Sequence, residues 1–295
     1  MTTLPQPLPR VLETAASAVG LSVAGARPIR LGENALILLP KVGVARIARP
    51  GQEHAAHREV AVARWLTTCG VPVVRPLDVD QPVMAEGRAV TFWAELGEHT
   101  RGTVTDVAHL LTQLHTLDPP TTLDLGHLDP FVRLRERIDD AHTLDEADRE
   151  WLTGHLRDLR AAWERLPAGR PWSVVHGDAW VGNVARLTDG SVVLLDLERC
   201  SVGPPEWDLV STAIKATSFP WVDPDDYADF VRTYGYDVHD WEGFTLMRDI
   251  RELRMTLYFA QHAPADPAMH VEAQFRLQCL RGDRGSRPWA WTPAT

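Results

Sequence analysis

Val174-Val175-His176-Gly177-Asp178-Ala179-Trp180-Val181-Gly182-Asn183-Val184, with the later run Val192-Val193-Leu194-Leu195-Asp196-Leu197-Glu198, decides how this chain is read. An apolar strand delivers a His-Gly-Asp turn. Asn183 stands five residues after Asp178, and a second apolar strand delivers Asp196 thirteen residues after Asn183. Short apolar runs bounded by Gly and Asp are strand ends, so this spacing can set an acid, an amide oxygen and a second acid on adjacent loops. A hard cation such as Mg2+ takes oxygen ligands and keeps several waters beside one or two carboxylates and substrate phosphates. Asn183 and Asp196 can supply the protein's share, which leaves Asp178 to orient a hydroxyl and accept its proton.

Outward from this island the chain is helical. Val104 to Leu117, Pro130 to Ile138, Asp145 to Leu166 and several segments past Pro224 carry apolar residues at helical spacing. The first hundred residues read differently. Residues 11 to 20 form a short helix stopped by Gly20. Ile29 to Leu31, Ala35 to Leu39 and Val42 to Ala48 are apolar runs parted by Gly32-Glu33-Asn34 and Pro40-Lys41, a meander of three strands. Residues 52 to 68 form a helix ended by Cys69-Gly70, and Val71 to Leu77 and Ala89 to Trp93 are two further strands. The expectation is an α+β fold: a small N-terminal antiparallel sheet with one helix inserted after its third strand, then a larger, mostly helical C-terminal lobe. The boundary falls at 1–96 and 97–295.

Composition excludes several classes. With 295 residues, 44% of them hydrophobic and 24% charged, the chain is neither disordered, collagen-like nor a disulfide miniprotein. No apolar run reaches the roughly 18 to 20 residues of a membrane span, and residues 1–10 carry three prolines and no apolar stretch, so no membrane partner is expected. Cys69, Cys200 and Cys279 are too dispersed for a disulfide framework or a thiolate metal site, which fits the cytoplasm. The net charge is -10, and the only lysines are Lys41 and Lys215 among scattered arginines. Nucleic acid is therefore not an expected partner, since affinity for it needs concentrated positive charge.

The pattern of His176, Gly177, Asp178, Asn183 and Asp196 resembles the aminoglycoside phosphotransferase family, antibiotic kinases that share the two-lobe protein-kinase-like fold with choline kinase and homoserine kinase. Gly203-Pro204-Pro205-Glu206-Trp207-Asp208-Leu209 is similar to that family's Gly-Pro-x-x-x-Asp-Leu stretch. The resemblance implies that residues 1–96 bind the nucleotide and residues 97–295 carry catalysis and acceptor binding. It makes Asp178 the catalytic carboxylate, Asn183 and Asp196 the Mg2+ ligands, and His176 and Asp208 supports of the catalytic loop. Gly32 and Asn34 fall where the phosphate-covering turn belongs, although this is no Gly-x-Gly-x-x-Gly loop. Arg46 falls where kinases place a lysine on strand three, with Glu59 as its helix partner. A planar guanidinium meets phosphate differently from an ammonium, and Lys41 competes for the role. Trp93 and Leu96 mark the hinge where kinases bind the base of ATP or GTP.

The implied activity is Mg2+-dependent transfer of a γ-phosphoryl group from a nucleoside triphosphate to a hydroxyl of an antibiotic or related metabolite. A primary-metabolite kinase of choline, homoserine or sugar type and a catalytically silent nucleotide-binding protein are the alternatives. Trp180, Glu198, Asp249 and Glu252 are candidate acceptor residues. The stretch 221–252 is rich in acids, which suits a cationic acceptor; equally, those acids can cover solvated helix faces and caps. The oligomeric state stays open between monomer and dimer.

Overall fold

The computed structural model describes residues 4–32 and 34–293. In chain order the elements are α1 (Leu8–Ala18), β1 (Arg27–Leu31), β2 (Ala35–Leu39), β3 (Gly43–Ile47), α2 (Glu53–Thr68), β4 (Val83–Ala85), β5 (Arg88–Trp93), β6 (His99–Arg101) and α3 (Val104–Leu114). There follow α4 (Leu134–Asp139), α5 (Glu146–Trp163), β7 (Ser173–Val175), β8 (Val184–Leu187), β9 (Val192–Leu194), β10 (Ser201–Gly203), α6 (Glu206–Thr217), α7 (Pro224–Tyr234), α8 (Phe244–His262) and α9 (Pro267–Arg281). Two compact units result, neither continuous in sequence. The first holds residues 1–106, 117–125 and 181–200; the second holds 107–116, 126–180 and 201–295.

The first unit is built on an antiparallel sheet of order β1-β2-β3-β5-β4. β2 is apolar throughout, and its Ile37 and Leu39 pack with Ala45, Ile47, Val90 and Phe92 against Val11, Leu12, Ala15 and Ala16 of α1. Those α1 positions recur at helical spacing, so one stripe of the helix covers one face of the sheet. Gly43 opens β3 at φ +152°, where a Cβ would stand 2.3 Å from the Trp93 carbonyl oxygen. Only glycine lets β3 lie that close to β5. A second sheet, β6-β8-β9, belongs to the same unit.

The α+β class and the helix after the third strand are as expected. The fourth strand is not where the sequence placed it. Val71 to Leu77 forms only single bridges, from Val73 to Leu194 and from Pro76 to Trp93, and Val83–Ala85 pairs with β5 instead. Pro72 and Pro76 have no N–H to give to a ladder, and the available amides of Val74 and Leu77 bond singly to Leu194 and Phe92.

In the second unit α8 is the central helix. Met247, Ile250, Leu253, Leu257 and Ala260 are buried along it. β7 pairs with β10, in register Val175 to Ser201, which fixes the strand that leads into His176. The arginine-rich stretch after α9 is followed by Trp289 and Trp291, both buried, with Trp291 stacked on Phe219 at 4.9 Å.

Candidate active site

The first unit gathers acids and an amide around Arg46. Alternate residues of β3 face opposite sides of the sheet, and Arg46 lies on the side away from Ala45 and Ile47, which are fully buried. Helical spacing puts Glu59 on the inner stripe of α2 with Ala56, Val60, Ala63 and Leu66. Arg46 Nη1 donates to Glu59, and Nη2 donates to Glu198 Oε2 at 2.8 Å with Asp196 Oδ1 at 4.0 Å. With its amide oriented by hydrogen bonding, Asn34 accepts from the same guanidinium at 2.7 and 3.2 Å. Burial, then the charges of Asp196 and Glu198, push the Glu59 carboxyl up to about 7 against the pull of Arg46. Burial opposes the Arg46 charge, but the surrounding carboxylates outweigh it and hold the guanidinium above its ordinary value.

Arg46, Glu59, Asn34, Asp196 and Glu198 are thus brought together, whereas Lys41 is exposed in the β2 to β3 turn. Gly32 is exposed at the start of the β1 to β2 turn, and its neighbour Glu33 lies outside the described residues. Trp93 is buried at the end of β5, its Nε1 donating to Thr91 Oγ1 at 2.8 Å, and Leu96 follows, half-buried.

The β8-β9 hairpin sets Asn183 and Asp196. Its register pairs Val184 with Leu194, and the Leu195 amide donates to the Asn183 carbonyl at 2.9 Å. Both side chains therefore leave from the same end of one hairpin. Asp196 adopts left-handed backbone angles, φ 56° and ψ 64°. That conformation is uncommon outside glycine and asparagine and tends to persist where surrounding structure imposes it. Two hard oxygen donors at one hairpin end fit a small hard cation that draws its other ligands from phosphate and water. Among the described residues no cluster of three His, Cys, Asp or Glu side chains could hold a metal without such help.

In the second unit β7 ends at Val175, just before His176, and Gly177 takes φ +83° to turn the chain toward Asp178. The turn is fastened from α6. Asp208 is fully buried and accepts from the His176 amide at 2.7 Å, the Gly177 amide at 2.9 Å and His115 Nε2 at 3.1 Å. Burial alone would raise the Asp208 carboxyl; the His115 hydrogen bond and the nearby Arg251 charge hold it below its ordinary value. Trp207 Nε1 donates to the Gly177 carbonyl at 3.0 Å, closing the turn from its other side. His176 is fully buried and its Nδ1 accepts from the Asp178 amide at 3.2 Å, so the ring braces the backbone. Asp178 itself is half-buried.

His115 and Lys215 were not singled out from the sequence. His115 directly follows α3 and also meets the Tyr234 hydroxyl at 2.8 Å; nothing in its local pattern marks it. Lys215 had a signal: it is one of two lysines and lies seven residues after Asp208, on the same helix face. Of the other acceptor candidates, Trp180 is half-buried with the Lys215 ammonium 5.1 Å from its ring centre. Asp249 and Glu252 meet Arg287, which reaches Asp249 at 3.1 Å and Glu252 at 2.8 and 2.5 Å. Glu252 is fully buried, and burial raises its carboxyl despite that partner. Several other acids of 221–252 also have partners, Asp229 in Arg232 and Asp237 in Tyr227 and His239.

The family model described as the phosphotransferase enzyme family matches residues 33–247, well over half of the chain. No curated protein matches the sequence significantly. Among solved structures, amicoumacin kinase hAmiN in complex with AMP-PNP, Ca2+ and Ami shares 11% identity at a TM-score of 0.70, covering 97% of this chain and 96% of that one. Spectinomycin phosphotransferase APH(9)-Ia, in complex with ADP and spectinomycin, shares 13% at 0.64, covering 95% and 94%. Choline kinase LicA from Streptococcus pneumoniae shares 16% at 0.63, covering 92% and 99%. At these identities the likeness is one of fold, the protein-kinase-like α+β architecture.

Proposed function

The chain belongs to the phosphotransferase enzyme family, and from that premise we propose that it is a small-molecule kinase moving the γ-phosphoryl group of ATP or GTP to a hydroxyl of an antibiotic or related metabolite. The observation that carries this reading is the clamp of Asp208 on the His176 and Gly177 amides, which fixes the turn presenting Asp178. The acceptor oxygen bonds to the γ-phosphorus as the bond from phosphorus to the bridging oxygen breaks. The hydroxyl proton passes to the Asp178 carboxylate and the nucleoside diphosphate departs. Such transfer asks the protein mainly for positioning and charge stabilisation.

Residues 1–96 bind the nucleotide and residues 97–295 carry catalysis and the acceptor. Arg46, oriented by Glu59, meets the phosphates, Gly32 and Asn34 form the turn over them, and Trp93 and Leu96 flank the base. Asn183 and Asp196 hold Mg2+, which when bound neutralises phosphate charge. Supporting Arg46 over Lys41 is its ion pair with Glu59. Among the described residues no helix is long and apolar enough to cross a membrane, and we place the enzyme in the cytoplasm, where nucleoside triphosphates are found.

A library of hydroxylated antibiotics and metabolites, including choline, homoserine and sugars, assayed by coupled ADP detection tests the reading. Turnover on an antibiotic-class acceptor, lost in Asp178→Asn, is expected. Turnover confined to a primary metabolite would move the assignment there, and Mg2+-dependent nucleotide binding without turnover on any acceptor would make the protein catalytically silent.

A further inference from the structure

Lys215 is a cation with little to do in the folded chain. It lies deep in the second unit yet keeps some exposure to solvent. Its nitrogen sits 5.1 Å from the centre of the Trp180 ring and donates no hydrogen bond to any described residue. An ammonium carries three N–H donors, and donors withdrawn from water without acceptors are costly. Burial lowers its pKa to about 8, Asp178 pulling it back up and Arg251 pushing it further down. The neighbouring arginine is differently placed: Arg251 donates to the Trp207 carbonyl at 3.1 and 2.5 Å. Lys215 thus keeps unspent donors and some exposure to solvent, in the field of Asp178.

The same placement argues against a cation there. A positively charged group gains from an aromatic face within about 6 Å, but the Trp180 face already carries the chain's own ammonium. An incoming ammonium would meet like charge. Asp249 and Glu252 do not compensate, because Arg287 pairs with both.

We propose that Lys215 selects the acceptor, binding a carboxylate or other anionic oxygen of the small molecule beside the hydroxyl whose proton Asp178 takes, and disfavouring acceptors with an ammonium at that place. This rests on the reading of Asp178 as proton acceptor. It names the acceptor class as hydroxy compounds bearing an anionic group near the reacting alcohol.

The test uses the full chain with three probes on one carbon skeleton, glycerate, glycerol and 3-amino-1,2-propanediol, and larger hydroxy acids, alcohols and amino alcohols matched in the same way. Binding is read by ligand-observed NMR and turnover by coupled ADP detection. The wild type is expected to prefer the hydroxy acid over the matched alcohol. Lys215→Gln should reduce that preference by about 10- to 100-fold, the range for a charged hydrogen bond, and Lys215→Arg should restore part of it. Thermal unfolding of both variants shows whether they fold. Binding of no hydroxy acid by the wild type overturns the proposal, as does a preference for amino alcohols. Equal loss for acids and alcohols in Lys215→Gln overturns it too, since that marks a mere counter-ion of Asp178. Asp178→Asn separates the two readings: full turnover in that variant sinks the role of Asp178 as proton acceptor, while the anion preference in binding still stands or falls with Lys215.

Discussion

Replacing Asp178 by asparagine keeps the size of the side chain and removes its capacity to take a proton. Turnover should fall by about 10²- to 10⁴-fold, with nucleotide affinity unchanged in a calorimetric titration. Loss of both would point to a collapsed loop instead. Glu59 carries a different signature. Its folded carboxyl titrates at about 7 against an ordinary 4.5. Between those values the folded protein holds a proton that the unfolded chain releases, so its contribution is complete below pH 4.5 and is lost as pH climbs through 7. Relative to Glu59→Gln, the wild type should therefore lose on the order of 3 kcal/mol over that window. Urea unfolding at pH 4.5 and pH 8 measures this difference, and parallel pH profiles for the two proteins would refute it. At this scale the sequence was informative where chemistry travels as a motif. Asp178, Asn183 and Asp196 were legible from spacing, and His176 and Asp208 from the family resemblance, whereas His115, which meets the Asp208 carboxylate from ninety-three residues away, was not.

At the scale of elements, the close approach of β3 to β5 depends on Gly43. Gly43→Ala must move the Trp93 carbonyl, a backbone atom, or break the start of the β3-β5 ladder. A loss of roughly 2 to 4 kcal/mol is expected from strain and overpacking together, read as a lowered Tm. An unchanged Tm would mean that β3 can begin one residue later at no cost. Long elements were legible: α2, α3 and α5 came out within a few residues of their helical periodicity. Three-residue strands such as β6 and β10 show too few alternations for a period of two to stand out, whereas β7 was legible as an apolar run leading into the His-Gly-Asp turn. Val71 to Leu77 misled because apolar β-branched residues suit a strand by propensity, while Pro72 and Pro76 deny it a ladder.

In the second unit an arginine-rich C-terminal arm packs back on the helices. Arg287 brings a cation to Glu252, which is fully buried on α8, and the next turns of chain seat Trp289 and Trp291. Removing one partner of such a pair strands the other. Arg287→Ala should cost about 3 kcal/mol, and adding Glu252→Gln should recover much of that in a double-mutant cycle; additive losses would show that the two residues do not interact.

By itself the sequence determined the α+β class, the helix after the third strand and the spacing of the oxygen-bearing side chains, because periodicity and turn chemistry act over a few residues. Only the tertiary structure decided which distant groups meet. That Arg46 gathers Glu59, Glu198 and Asn34, that Arg287 occupies Asp249 and Glu252, and that Lys215 keeps its donors unspent over Trp180 all follow from packing between segments far apart in the chain. Charges are paired by whichever elements burial brings alongside them, and a linear pattern holds no record of that choice.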